Sequence, residues 1–215
     1  MSGSHSDAVA HQFEDAKQQR ETVNLGMWAF LITEVMMFGG LFAAFFYYKF
    51  SYPDAFQEGS NKLDYVLGAV NTGVLICSSL TMAMAVHAAQ VGKRKGTIVF
   101  LLLTMLLGLT FLGVKVIEYG DKIEHHLVPG RHFSVDSATP HLVELFYSFY
   151  FTMTGLHALH MIVGLGILGV LVGMAWRNRF GPEYHAPVEM TGLYWHFVDI
   201  VWIYLFPFLY LIGRA

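Results

Sequence analysis

The sequence predicts an all-α, polytopic membrane protein, a bundle of five transmembrane helices with the N-terminus inside and the C-terminus outside. Three observations carry that prediction. Hydrophobic residues fill 55% of the 215 positions and charged residues only 13%, about half the share usual in soluble domains. Five apolar stretches of twenty or more residues run through the chain, each long enough to cross a hydrocarbon core about 30 Å thick. None of them alternates with a period of two, which excludes a membrane β-barrel. A soluble cytosolic domain is excluded by the same composition. Thirteen Lys/Arg against sixteen Asp/Glu leave a formal charge of −3. With no basic patch for phosphates, nucleic acid is not a partner. Cys77 is the only cysteine, so a disulfide framework and a thiolate metal site are both ruled out. It lies in an apolar span and reads as a small packing residue.

Residues 1–22 read as a cytoplasmic polar tail, with Asp7, Glu14, Asp15, Lys17, Arg20 and Glu21. The basic start and directly following apolar run of a cleavable signal peptide are missing. Its middle, His11 to Arg20, is compatible with a surface helix. Residues 23–215 read as a single five-helix transmembrane domain. Its spans are expected at Leu25 to Tyr48, Tyr65 to Val91, Thr97 to Gly120, Leu142 to Trp176 and Met190 to Ile212. The fourth is too long for a simple crossing and should project beyond the lipid at its start, near Pro140, His141 and Glu144.

Charge in the loops sets the orientation. An N-inside arrangement puts Lys17, Arg20, Lys93, Arg94, Lys95, Arg177 and Arg179 on the cytoplasmic side, against Lys49, Lys62, Lys122, Arg131 and Arg214 outside. The short turn Gly92-Lys-Arg-Lys-Gly96 concentrates positive charge where the positive-inside rule expects it. Trp28, Trp176 and Trp195 would form an aromatic belt at that boundary. The turn after the fourth span, with Arg177 and Arg179, and the earlier Lys93 and Arg94 are candidates for anionic lipid headgroups. No internal repeat stands out, which argues against an inverted-repeat transporter.

Anchors alone would need few polar groups, yet Glu34, His87, Lys115, Glu118, His157, His160, His196 and Asp199 all fall within the spans. Each is costly in lipid unless paired or facing protein. Glu34 lies roughly 14 Å into the first span, with no basic residue near it in sequence. It reads either as a proton-handling carboxyl or as an interhelical hydrogen bond that fixes packing. Lys115 and Glu118 are three apart on one helical face and read as a structural ion pair, with the lysine stem free to snorkel outward. His157 and His160 share a face of the fourth span, and His196 and Asp199 a face of the fifth. Those four could build a metal site between facing helices or form a neutral hydrogen-bonded network, and His157 or His160 could ligate haem. The His-Glu-x-x-His pattern of a zinc hydrolase is lacking.

Small residues suggest close helix packing. The fourth span has Gly164, Gly166, Gly169 and Gly173, with Gly-x-x-x-Gly at 169–173, and the second has Gly68, Gly73, Ser78 and Ser79. The outer loop from Asp121 to Phe133 has three histidines and reads as an exposed linker or docking surface rather than a metal loop.

The order of these motifs resembles subunit III of haem–copper respiratory oxidases, in its five-helix form. The resemblance is carried by Trp28-Ala-Phe-Leu-Ile-Thr-Glu-Val-Met-Met-Phe38, by Asn71-Thr with Ser78-Ser-Leu-Thr81 and His87, and by Phe111-Leu-Gly-Val-Lys-Val-Ile-Glu-Tyr119. Phe149-Tyr-Phe-Thr-Met-Thr-Gly-Leu-His-Ala-Leu-His-Met-Ile-Val-Gly164 and Tyr194-Trp-His-Phe-Val-Asp-Ile-Val-Trp202 complete it. It covers the chain from residue 24 onward.

The resemblance implies a non-redox subunit with no catalytic residue, haem or metal of its own. It would belong to a complex that reduces oxygen to water and pumps protons in a bacterial cell membrane. Haem and copper would lie in partner subunits. Subunit I would be the direct neighbour, with subunit II, a small subunit IV or a supercomplex beyond it. Phospholipid bound in a cleft, steady proton uptake and oxygen access are the roles it implies. Glu34 then corresponds to a carboxyl near that cleft and the subunit I interface. Glu118 corresponds to the third helix's acid, and His157, His160, His196 and Asp199 to a buried polar cluster. The metal reading recedes accordingly. The seven-helix form's two extra N-terminal helices are missing, so the cleft's other wall must differ. Cytochrome c and quinol remain alternative donors, and a nitric-oxide-reductase-associated relative shares the pattern. An independent metal-dependent membrane enzyme and a small transporter are the rivals outside the family.

Overall fold

The computed structural model describes residues 16–130, 133–181, 184–211 and 213; most of the polar tail, along with His132 and Arg131, lies outside them. Six helices follow one another: α1 (Ala16–Ser51), α2 (Pro53–Asn61), α3 (Tyr65–Gln90), α4 (Arg94–Glu124), α5 (Pro140–Trp176) and α6 (Ala186–Phe206). A π-helical turn, Pro207–Leu211, continues α6. Proline at the head of that turn has no N–H to give the preceding α-helical ladder, which shifts the bonding pattern. Five of the helices are long and apolar enough to cross a membrane, and no strand occurs among the described residues.

The ends of the helices follow local chemistry. Asp64 caps α3, its carboxylate accepting from Val66 N at 2.9 Å and Leu67 N at 3.2 Å. Prolines open α2, α5 and α6, where a missing N–H costs nothing. Gly92, at φ 73°, turns the chain out of α3. Arg94 then donates to the carbonyls of Ala175, at 3.2 Å, and Trp176. A cation thus sits on the negative end of α5 and satisfies carbonyls the helix leaves bare.

Antiparallel α3, α4, α5 and α6 close into a four-helix ring in which each helix packs on two neighbours. Trp195, Trp202, Phe111, Met82, Met161 and Leu168 fill it, all fully buried. α1 lies outside the ring against α5 and α6, and only 17% of its apolar window is buried against 50% for α6. α2 was not expected, because the 49–64 stretch is too polar to register as a span. Its sequence nonetheless alternates helically: Ala55, Phe56, Gly59 and Ser60 are buried behind an N-terminal proline and Asp54. Phe56 packs on Phe45 and Phe146 at 5.3 and 5.6 Å, while Ser60 donates to Leu209 O at 2.7 Å. α2 is a plug across one end of the bundle. Its Glu58 accepts from Ser137 at 2.6 Å and from Lys62 at 2.9 Å. These two contacts hold its carboxyl below the ordinary carboxylate range.

Four expectations are corrected here. Trp195 is no belt residue: it is fully buried and donates to Ser78 Oγ at 2.8 Å. Cys77 is exposed rather than packed. Gly173, of the Gly-x-x-x-Gly pair, has open space around it. Glycines that do permit close approach include Gly68, where an added Cβ would come within 2.9 Å of Phe206, and Gly108 and Gly164, where it would come within 3.0 and 2.9 Å of the Trp195 ring. Lys115 does not snorkel, for reasons that belong to the polar interior.

Candidate functional site

Among the described residues from 22 to 51, α1 meets the ring through one side-chain hydrogen bond. Glu34 Oε2 lies 3.0 Å from His160 Nε2, with both side chains about 15% exposed. The opposite ring nitrogen, Nδ1, is 2.8 Å from Leu156 O. A carbonyl can only accept, so Nδ1 bears a hydrogen. The single remaining proton lies along the Glu34–His160 bond. It can sit on the carboxyl, giving two neutral groups, or on Nε2, giving an ion pair. Either way the dyad is neutral towards its surroundings. Tyr194 OH, from α6, donates to His160 O at 2.9 Å, and Phe38 packs 5.4 Å from the imidazole. The dyad opens into an apolar cleft of about 420 Å³ between α1 and the α5/α6 edge, whose walls include Met27, Phe30, Leu159 and Val163.

A second polar group lies wholly inside the ring. Lys115 Nζ donates to Glu118 Oε2 at 2.8 Å and to Tyr210 OH. Tyr150 OH and Tyr210 OH both donate to Glu118 Oε1, at 2.8 and 2.5 Å. The ammonium lies 4.6 Å from the centre of the Trp202 ring. Lys115 and Glu118 are each 4% exposed, so the expected ion pair is present. It points inward, where the aromatic face and two hydroxyls replace the water that snorkelling would have sought. The contributions of Tyr150, Tyr210 and Trp202 were missed. Only their place on the inward stripes of α5, α6 and the π-helical turn could have flagged them.

The other candidates are dispersed rather than gathered. His157 is buried between Phe111 and Trp202, 5.4 and 5.2 Å away, and neither ring nitrogen has a hydrogen-bond partner among the described residues. His196 Nδ1 is 2.6 Å from Ser79 Oγ. Asp199 is 2% exposed and lies beside Ser79, though neither of its oxygens makes a well-formed hydrogen bond among the described residues. His87, expected as a buried polar group of the second span, is instead exposed in the last turn of α3, because hydropathy places the end of that span without fixing which face is outward. No three His, Cys, Asp or Glu side chains gather as metal ligands among the described residues.

At the end of the bundle where α4 begins and α5 ends, Lys93, Arg177 and Arg179 are exposed. Arg177 and Arg179 line a groove of about 390 Å³ with Val170, Gly173 and Met174. Arg94 differs from them, since its guanidinium is engaged with the α5 carbonyls.

Comparison with known proteins gives a consistent pattern. The family model described as Cytochrome c oxidase subunit III matches residues 6–214. Quinol oxidase subunit 3 of Bacillus subtilis is 32% identical over 195 residues, covering 88% of this chain and 86% of its own. Cytochrome bo(3) ubiquinol oxidase subunit 3 of Pseudomonas aeruginosa is 31% identical over 95% of this chain and 92% of its own. Cytochrome c oxidase subunit 3 of Corynebacterium diphtheriae is 33% identical over 97% of each.

Proposed function

The chain belongs to the cytochrome c oxidase subunit III family, and from that footing we propose that it is the non-redox auxiliary subunit of a proton-pumping haem–copper terminal oxidase, holding phospholipid in the cleft where Glu34 meets His160. That it is an oxidase subunit III and a multi-pass inner-membrane protein follows from the family match, the relatives and the five apolar helices. Its seat beside subunit I, its lipid and its N-inside orientation are the proposal. The observation that carries the proposal is the Glu34–His160 dyad opening into an apolar cleft.

A carboxyl in hydrocarbon is costly unless it is neutral or paired, and this one is satisfied by one proton shared across one bond. Acyl chains can therefore fill the cleft against a wall that is polar within yet presents no net charge. Taking the proton away would leave a bare carboxylate facing lipid; adding one would leave a cation. The dyad thus locks α1 to α5. The histidines are occupied structurally, His160 by Glu34, His196 by Ser79 and His157 by aromatic rings. This supports leaving haem and copper to the partner subunits. Relatives named for quinol and for cytochrome c match at similar identity, which supports placing the electron-donor site elsewhere in the complex as well.

The test is a mild-detergent pull-down through a C-terminal tag, with a reduced-minus-oxidised spectrum and mass identification of every partner and lipid. Haem bands, a larger multi-span subunit and stoichiometric phospholipid are expected. All haem should leave the tagged fraction when this chain is stripped away. A chain that isolates alone, holding its own metal or carrying a substrate across liposomes, would overturn the proposal.

A further inference from the structure

His185 ends the connection from α5 to α6 and faces two acceptors at once. Its Nδ1 is 3.3 Å from Gly181 O, and its Nε2 is 3.4 Å from Glu189 Oε1. A neutral imidazole carries one ring hydrogen, so it serves only one of the two and turns a bare nitrogen towards the other. One added proton satisfies both. The two acceptors are themselves held in place. Glu189 Oε1 accepts from Gln90 Nε2 of α3 at 2.5 Å, and Glu189 lies in the first turn of α6, where a negative charge meets the positive end of the helix. Gly181 O accepts from Tyr184 N at 3.0 Å while Gly181 N donates to Tyr184 O at 3.2 Å.

This contact differs from Glu34–His160 in its place. His185 precedes α6 rather than lying within a span, and its side chain is 20% exposed, with that of Glu189 at 32%. Water can therefore deliver the proton and take it back. Among the described residues Glu189 is the charged group paired with His185. The other charged or titratable groups at this end are His87 of α3, Lys93 and Lys95 at the α3–α4 turn, Arg94 on the α5 carbonyls, and Arg177 and Arg179 after α5. Glu183 lies outside the described residues. The contact also adjoins the α1 cleft, because Met190 and Thr191, which directly follow Glu189, line that cleft together with Glu34 and His160.

We infer that His185 and Glu189 form a proton-operated clamp on the α6 end of the α1 cleft. With the proton in place, Nε2 donates to the carboxylate and Nδ1 to Gly181 O, which ties the α5–α6 connection to α6 and, through Gln90, to α3. Without it one of these two contacts fails and the connection loosens beside the cleft wall. The step is a protonation alone: a proton from water enters on the ring and returns to water. The clamp is closed in acid and opens as the pH rises through the range, roughly pH 5 to 8, in which histidine changes charge. Its effect on lipid rests on the reading of the α1 cleft as a phospholipid site, to which it adds a control that the reading does not contain.

The experiment compares the intact complex, isolated in mild detergent, at about pH 6 and about pH 8. It reads hydrogen exchange, with each amide corrected for its intrinsic pH-dependent rate, and the phospholipid retained through washing. Amides of 184–192 should open about twofold to fivefold more readily at the higher pH, the worth of one partly exposed ion pair, and lipid retention should fall in step. His185→Gln and Glu189→Gln should each abolish both responses, while His87→Gln keeps them. A pH response that survives in His185→Gln, or that is lost in His87→Gln alone, would overturn the clamp. Exchange that follows pH while lipid retention does not would overturn its link to the cleft. A complex without phospholipid at either pH would overturn the lipid reading in the proposed function, and the exchange data would still decide the clamp.

Discussion

Replacing Glu118 by leucine should be among the most damaging single changes in the ring. Three donors converge on its carboxylate, from Lys115, Tyr150 and Tyr210, and the ion pair is 4% exposed at both ends. Removing one partner of a buried pair costs about 3–5 kcal/mol, since the other charge remains stranded. An orphaned tyrosine hydroxyl adds roughly 1–3 kcal/mol. Only one is counted, because Tyr150 and Tyr210 lie 3.5 Å apart and can bond to each other. Glu118→Leu is thus expected to destabilise by about 4–8 kcal/mol. Lys115→Met should cost less, about 2 kcal/mol, because Glu118 keeps both tyrosine donors. In the double variant no charge is stranded, and replacing a whole buried pair by apolar groups ranges from neutral to stabilising. Its net cost should fall within about 2 kcal/mol of the parent, far below the sum of the singles. The assay is detergent-driven unfolding in mixed micelles followed by tryptophan emission, for which Trp202, 4.6 Å from the ammonium, is a local reporter. Costs that add within about 0.5 kcal/mol would refute the argument that these residues act as a unit.

Three further outcomes are expected. Glu34→Ala should leave the haem spectrum of the complex unchanged but shorten its lifetime during turnover and lower its bound phospholipid, whereas Glu34→Gln, which can still donate to Nε2, should stay closer to the parent; loss of a haem band would sink the assignment of haem to other subunits. Glu58 has a carboxyl held below its ordinary value by Ser137 and Lys62. Its stabilising contribution is therefore complete above the unfolded-state pKa and lost as the pH falls through the depressed folded value. Hydrogen exchange across 53–62 and 133–139 should accelerate on acidification, and Glu58→Gln should flatten that response; identical pH profiles would count against it. Gly164→Ala should destabilise by about 1–3 kcal/mol through its clash with the Trp195 ring. Gly166→Ala, which meets nothing within 4 Å, should be neutral or gain up to about 1 kcal/mol in the purified chain, so equal effects would refute the packing argument.

What sequence can reveal here divides along physical lines. Hydropathy registers composition along the chain, so it locates α3 as Tyr65–Gln90 almost to the residue. It starts α1 at Leu25 although the chain is already helical at Ala16, the first described residue, because polar residues with good helix propensity extend it outside the apolar run. Amphipathic α2 escapes for the opposite reason, too short and polar to count as a span. Spacing rules found Lys115 with Glu118 because three residues bring two side chains to one face. They could not find Glu34 with His160, which are 126 positions apart, nor choose which face of α3 carries His87. Pairing between helices depends on rotation about each axis, and local spacing holds no record of it. The recurrence of these residues in one order is what made the family legible before any contact was known.

In lipid, apolar side chains are nearly indifferent between a neighbouring helix and an acyl chain, so polar contacts bear more of the task of setting helix register. The ring is pinned this way at several heights. Trp202 Nε1 donates to Thr72 at 3.1 Å and Trp195 Nε1 to Ser78 at 2.8 Å, tying α6 to α3. Thr81 meets Thr104 at 2.8 Å between α3 and α4, and Tyr119 meets Thr154 at 2.5 Å between α4 and α5. α1 is held differently. Among the described residues from 22 to 51, Glu34–His160 is the single side-chain hydrogen bond to another helix. The rest of the contact made by 22–51 is apolar, with Met27, Leu31 and Leu41 beside aromatic pairs such as Phe42 and Phe46 on Phe208 at 5.7 and 4.7 Å. Such rings can slide where a hydrogen bond cannot. One proton-sharing bond therefore sets the width of the α1 cleft, and a change at Glu34 acts on the cleft's occupant before it acts on the stability of the ring.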